Sequence, residues 1–152
     1  MEYSIGEMAK KLNIAPSALR YYDKEGLLPF VDRTPGGARV FKEKDFPWLA
    51  TIECLKETGM PIKAIRDFID WCMQGDQTIG QRLELIRRQK QAAAEQMRRL
   101  QQAVDMLDYK EWYYEIAMEA GTCAVHDNMK AEDIPPKLRE TRDRAAQLTK
   151  IE

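Results

Sequence analysis

Ile5, Met8, Ala9 and Leu12 recur at helical spacing and give a short first helix one apolar face. Ser4 stands just before that run and Glu7 three residues later, the spacing of a capping box. Asn13 tolerates the left-handed conformation that stops a helix. A second helix is predicted from about Pro16 to Glu25. Proline costs little in a first turn, and Gly26 ends the helix. Ala18 and Leu19 face inward, and Ser17, Arg20 and Tyr21 project outward. Ile14 fills the space between the two helices. The segment from Arg33 to Phe41 contains Gly36-Gly37, which suits a hairpin turn.

A third helix is predicted from Lys44 to Thr58, with Phe46, Leu49, Ile52 and Leu55 inward and Pro47 in the first turn. Gly59 closes it. Pro61 opens a fourth, with Ile62, Ile65, Phe68, Ile69 and Met73 apolar. After the polar break Gln74–Thr78, a heptad series begins. Ile79, Leu83, Ile86, Lys90, Ala93, Met97, Leu100, Val104 and Leu107 follow in alternating steps of four and three. A helix from Ile79 to about Lys110 would be roughly 48 Å long. Its stripe has nowhere to hide in a lone helix, so a partner is expected. Lys90 sits in that stripe, where it costs stability and helps to set register or orientation. Trp112, Tyr113, Ile116 and Ala117 start a further short amphipathic helix that Gly121 ends. The tail beyond Asp127 is polar. From Pro136 to about Leu148 it is either a short helix or disordered.

The predicted fold is mostly α: a winged helix-turn-helix DNA-binding domain followed by a long dimerisation coiled-coil helix. The domains expected are residues 1–75, with a second helical hairpin, then 76–111 for the dimer helix, then 112–152. Three segments carry a resemblance: Ser4-Ile-Gly-Glu-Met-Ala9, Leu19-Arg-Tyr-Tyr-Asp-Lys-Glu-Gly-Leu-Leu28 and Gly37-Ala-Arg-Val-Phe41. Together they resemble the MerR family of transcription regulators. Ala38 stands where the family's wing often has an aromatic residue. The resemblance implies a homodimer with antiparallel long helices, bound to double-stranded promoter DNA. It also implies that the dimer bends and untwists an overlong promoter spacer for RNA polymerase.

Composition narrows the picture. The net charge of −1 is not that of a broadly basic nucleic-acid binder. Residues 1–44 hold eight Lys/Arg against six Asp/Glu, and residues 45–78 hold three against six. DNA binding must therefore rest on a few placed cations. The candidates are Ser17, Arg20 and Tyr21 near bases or phosphates, Tyr22 on the backbone, and Arg39 in the wing. Lys63 lies at a helix N-terminus where a phosphate could dock, or is simply solvated. No apolar run is long enough for a membrane span, and no signal region opens the chain. Three widely spaced cysteines fit a reducing compartment, so a cytoplasmic protein is expected. No catalytic constellation, cofactor or phosphate-binding glycine loop is nominated, so an enzyme is not expected.

Three features compete as the signal input. Cys54, on the third helix, is either a small buried residue or a thiol sensor. In the resembling family a branch that answers aldehydes and nitrosative stress carries a cysteine at the matching place, and Thr51–Met60 looks like that branch. Cys123 and His126 can supply two metal ligands, with Cys72 as a third. The resembling metal sensors place paired cysteines there, which this chain lacks. Trp112, Tyr113 and Tyr114 could wall a drug site, but are more often packing residues. The alternatives to a regulator that answers a thiol-reactive signal are a metal-responsive regulator using Cys123 and His126, and an architectural DNA-binding protein without an inducer.

Overall fold

The structure, a computed structural model, describes residues 1–148. The chain forms two compact units, one up to Ala93 and one from Ala94 onward. The fold is mostly helical, with a small wing sheet and one long helix.

In the first unit, strand β1 (Glu2–Tyr3) leads into helix α1 (Ile5–Leu12) and helix α2 (Pro16–Lys24). The predicted caps are present. Ser4 Oγ accepts from Glu7 N at 3.3 Å, and Glu7 Oε2 accepts from Ser4 N at 2.8 Å. The bond from Ser4 N, and then one that Ser4 Oγ donates to the same Oε2 at 2.8 Å, hold the Glu7 carboxyl below its ordinary value. Asn13 takes the left-handed conformation at φ 55°. Strands β2 (Asp32–Arg33) and β3 (Arg39–Lys42) form the wing hairpin. The sheet order is β1-β3-β2, all antiparallel, with Tyr3 opposite Phe41 and Arg33 opposite Arg39. β1 has no counterpart in the sequence reading; two residues are too short to show a period. Tyr3 packs edge-on against Phe46 and donates to Glu43 Oε1 at 3.1 Å.

Helix α3 (Phe46–Glu57) starts two residues later than predicted. Buried Asp45 explains the shift. Its carboxylate accepts from Lys42 N at 2.8 Å and closes a 3-10 turn over Glu43–Asp45 first. Helix α4 (Ile62–Gln74) buries Ile65, Phe68 and Ile69, but Met73, assigned to its apolar face, is 52% exposed. Leu19, Leu27, Leu28, Phe41, Leu49, Ile52, Ile65 and Ile69 form the centre of the core. Burying each such side chain stabilises the fold by roughly 1.5–3 kcal/mol.

The long helix α5 runs without interruption from Ile79 to Ala120. The separate helix expected from Trp112 does not exist, because nothing before Gly121 breaks the helix; Gly121 ends it at φ 71°. Gln89 Nε2 donates to the carbonyl and hydroxyl of Thr58 at 2.9 and 2.8 Å, tying the start of α5 to the end of α3. Ile79, Leu83, Met97, Leu100, Val104 and Leu107 are all exposed along it, as an unpartnered heptad stripe requires.

In the second unit, 3-10 turns over Cys123–Asn128 and Ala131–Asp133 lead into helix α6 (Pro136–Leu148). The helical alternative for the tail therefore holds. Ala117, Ile134, Leu138 and Thr141 are buried there. Among the described residues no helix is long and apolar enough to cross a membrane.

Leu19 anchors α2 to the core at 0% exposure. We expect Leu19→Ala to lower unfolding free energy by about 2–5 kcal/mol in urea titration, with an unchanged slope. A loss below about 1 kcal/mol would show that α2 is not held by this contact.

Candidate nucleic-acid interface

Helix α2 divides into two faces. Leu19 and Tyr22 point into the core, while Ser17, Arg20, Tyr21 and Lys24 are exposed. Spacings of three and four put these four side chains on one side of the helix. Lys24 was absent from the sequence reading, although it stands four residues after Arg20, which was signal enough.

Tyr22 differs from the expectation of a DNA-backbone contact. It is 1% exposed, its hydroxyl donates to Glu53 Oε1 at 2.6 Å, and it accepts from Lys56 Nζ at 2.8 Å. Burial, and then the bond to Glu53, raise its phenol above the ordinary value. The same contact to Tyr22 is the main cause that raises the Lys56 ammonium. Tyr22 thus fixes α2 on α3 and is not free to grip a phosphate.

The wing turn is closed by its own polar groups. Thr34 N donates to Ala38 O at 2.8 Å, Ala38 N donates to Thr34 Oγ1 at 3.1 Å, and Gly37 sits at φ 85°. Arg33 and Arg39 both reach back from the wing to Asp23 on α2. Arg39 Nε and a terminal nitrogen donate to Asp23 Oδ1 at 2.8 and 2.6 Å, and its other terminal nitrogen donates to Val31 O at 2.5 Å. Arg33 donates to the same carboxylate at 3.0 Å and to Gly37 O at 2.9 Å. The Arg39 side chain is 13% exposed. It is therefore committed to the clamp, and the expectation of a phosphate contact from it is revised. Lys42 is paired with Asp32 at 2.7 Å; that bond raises the lysine and lowers the carboxyl.

Arg20, Lys24 and Lys63 are exposed and make no ion pair among the described residues. Lys63 is the second residue of α4, whose cap, Pro61, offers no side-chain acceptor. The free amides and the ammonium make an anion-seeking edge.

Cys54 is exposed, so the buried-residue reading fails. Cys72 is half-buried with an Arg82 nitrogen 3.9 Å from its sulfur. Cys123 is exposed, and His126 Nε2 is 2.9 Å from Tyr113 O, its ring stacked on Tyr113 at 3.7 Å. Burial first, and then Cys123, raise the Tyr113 phenol. Among the described residues no three His, Cys, Asp or Glu side chains group to hold a metal. Trp112 and Tyr113 pack around His126, whereas Tyr114 is 59% exposed.

A model described as the MerR HTH family regulatory protein matches residues 3–70, and a MerR DNA-binding model matches residues 47–109. An uncharacterised HTH-type transcriptional regulator of Haemophilus influenzae is 39% identical over 135 residues, covering 89% of this chain and 96% of the relative. The chain belongs to the MerR family of transcriptional regulators. The AdhR regulator of Bacillus subtilis is 30% identical over 60% of this MerR chain and 66% of its own length. The crystal structure of HiNmlR, a MerR family regulator lacking the sensor domain, bound to promoter DNA, superposes at a TM-score of 0.74. It is 40% identical, over 82% of this chain and 99% of that one. A MerR family regulator of Bacillus thuringiensis gives 0.65 at 41% identity, over 78% and 99%. As a MerR regulator, the protein is a DNA-binding transcriptional regulator.

The wing of this MerR protein owes its position to Asp23. We expect Asp23→Ala to speed hydrogen exchange at the Thr34 and Ala38 amides while the α1 and α3 amides keep their protection. Unchanged wing exchange would show that the hairpin holds itself.

Proposed function

We propose that the protein binds a pseudo-palindromic promoter operator as a homodimer and remodels it in response to an inducer. One observation carries this reading: the exposed face of α2 stands beside a wing locked to it through Asp23. A helix of that kind enters a major groove while the wing flanks it. Ser17, Arg20 and Tyr21 reach bases or phosphates, and Lys24 and Lys63 take phosphates. Phosphate contacts set register and affinity, and base contacts read sequence. Arg39 and Tyr22 act by position. The exposed stripe of α5 joins two copies and so presents two such heads to one operator. Contacts made only on deformed DNA would supply the energy to bend and untwist the promoter for RNA polymerase. The protein works in the cytoplasm.

The proposed input is an electrophile, an aldehyde or nitrosative species, that reacts with Cys54. Its exposed thiol on α3 and the similarity to AdhR support that choice. The thiolate is the reacting form, and modification would favour one of two dimer geometries. A second reading is a DNA-binding protein without an inducer. What favours it is that HiNmlR is described as lacking the sensor domain.

Arg20→Ala should weaken specific operator binding at least tenfold in fluorescence anisotropy, about 1.4 kcal/mol or more. Unchanged affinity would remove α2 from the groove. Transcription in vitro from the DNA upstream of the protein's own gene tests the input. An aldehyde response in wild type that disappears in Cys54→Ser supports the thiol sensor. A response retained in the variant excludes Cys54, and none in either favours the inducer-free reading.

A further inference from the structure

Within the second unit, α6 lies against α5 and a cleft remains between them. Asp105 and Asp108 of α5 and Lys137, Glu140, Thr141 and Arg144 of α6 line this space of about 320 Å³. A spacing of three on α5, and of four and three on α6, brings these side chains to the facing sides. Thr141 is only 4% exposed, yet its hydroxyl has no hydrogen-bond partner among the described residues. A buried hydroxyl ordinarily finds one, so a polar group is missing at this point of the cleft.

Charges around that hydroxyl are also left open. Glu140 accepts from Arg144 at 3.4 Å, one turn away on α6. Asp105 Oδ1 accepts from Gln101 Nε2 at 2.9 Å, which holds the carboxylate in place and leaves its other oxygen free. Among the described residues Asp105, Asp108 and Lys137 make no ion pair. Two carboxylates on one wall and an ammonium on the other thus face the same space without meeting. Lys137 is in the first turn of α6, where the helix dipole adds to its positive charge. A simple anion would meet the carboxylates. Among the described residues no three metal-ligating side chains group to hold a cation such as zinc. The complement of two negative charges and one positive is a single molecule with two positive charges and one negative.

We propose that this cleft binds a basic α-amino acid of the lysine or ornithine type. Its two ammonium groups lie against Asp105 and Asp108, and its carboxylate lies against Lys137. The Thr141 hydroxyl donates to that carboxylate and so gains the partner it lacks. With Glu140 and Arg144 closed on each other, the charges of site and ligand cancel. A neutral amino acid lacks the second ammonium, and a diamine lacks the carboxylate. The site is independent of the thiol reading of Cys54.

Isothermal titration calorimetry of the full-length protein at low salt tests it, with the Asp108 and Thr141 amide shifts as a second readout. L-Lysine should bind with a Kd of about 1 mM or tighter. L-Norleucine, the same skeleton without the terminal ammonium, should bind at least about tenfold more weakly, and so should cadaverine, which has both ammonium groups and no carboxylate. Asp108→Asn and Lys137→Gln each remove one charge at exposed positions and should weaken lysine about tenfold. Thr141→Val keeps the buried shape and should weaken lysine too, without lowering the Tm of the free protein, because the hydroxyl it removes is unpaired. Norleucine or cadaverine binding as tightly as lysine overturns the ligand class. Lysine affinity unchanged in all three variants, or neither heat nor shift from lysine, ornithine or arginine up to about 10 mM, overturns the site.

Discussion

The Asp23 carboxylate is the contact on which the DNA-facing surface depends. It sits on α2 and accepts from both Arg33 and Arg39 of the wing, with Arg39 contributing two of its nitrogens. The wing strands are only two and four residues long. A ribbon of that size has little stability of its own, even with β1 added on one edge. Charge-assisted bonds in a planar guanidinium geometry supply the direction as well as the attraction. The helix and the hairpin therefore move as one body, and the distance between them is fixed before DNA arrives.

That arrangement explains a chain with net charge −1 that binds a polyanion. Cations near the wing are consumed internally: Arg33 and Arg39 by Asp23, and Lys42 by Asp32. Tyr22 is held between Glu53 and Lys56 in the same manner. Of the cations that remain exposed and outside any ion pair among the described residues, Arg20 and Lys24 on α2 and Lys63 at the start of α4 are the ones proposed for the nucleic acid. Such a surface favours placement over general attraction. The long helix makes a parallel choice. Its stripe is left open, and covering it is the role of the second copy in the proposed homodimer.

Local rules were legible from sequence because each involves residues a few positions apart. The Ser4–Glu7 box, the left-handed Asn13 and the glycine turn of the wing all appear as read. Long-range pairing was not. Nothing in the spacing of Asp23 and Arg39 says that they meet, so Arg39 looked like a free wing cation. Tyr22 looked like a surface aromatic because its partners lie more than thirty residues away. Cys54 has the composition of a core residue, yet its turn of α3 faces outward. The end of α5 was missed for another reason. Glu111 interrupts the apolar series, and Trp112 and Tyr113 suggested a new face. They form a second stripe packed in the tail unit, while Tyr114 and Met118 continue the first.

The central claim is that Arg39 acts through Asp23 to position the wing and does not itself hold a phosphate. A double-mutant cycle on operator affinity tests this most directly, using Asp23→Asn, Arg39→Met and the double variant over a range of salt concentrations. The clamp predicts strong coupling, about 0.5–3 kcal/mol, so that the double variant is little worse than either single one. It also predicts a salt slope that Arg39→Met leaves unchanged. Additive losses, with the slope reduced by about 0.9 when Arg39 is removed, would make Arg39 a phosphate ligand and contradict the account.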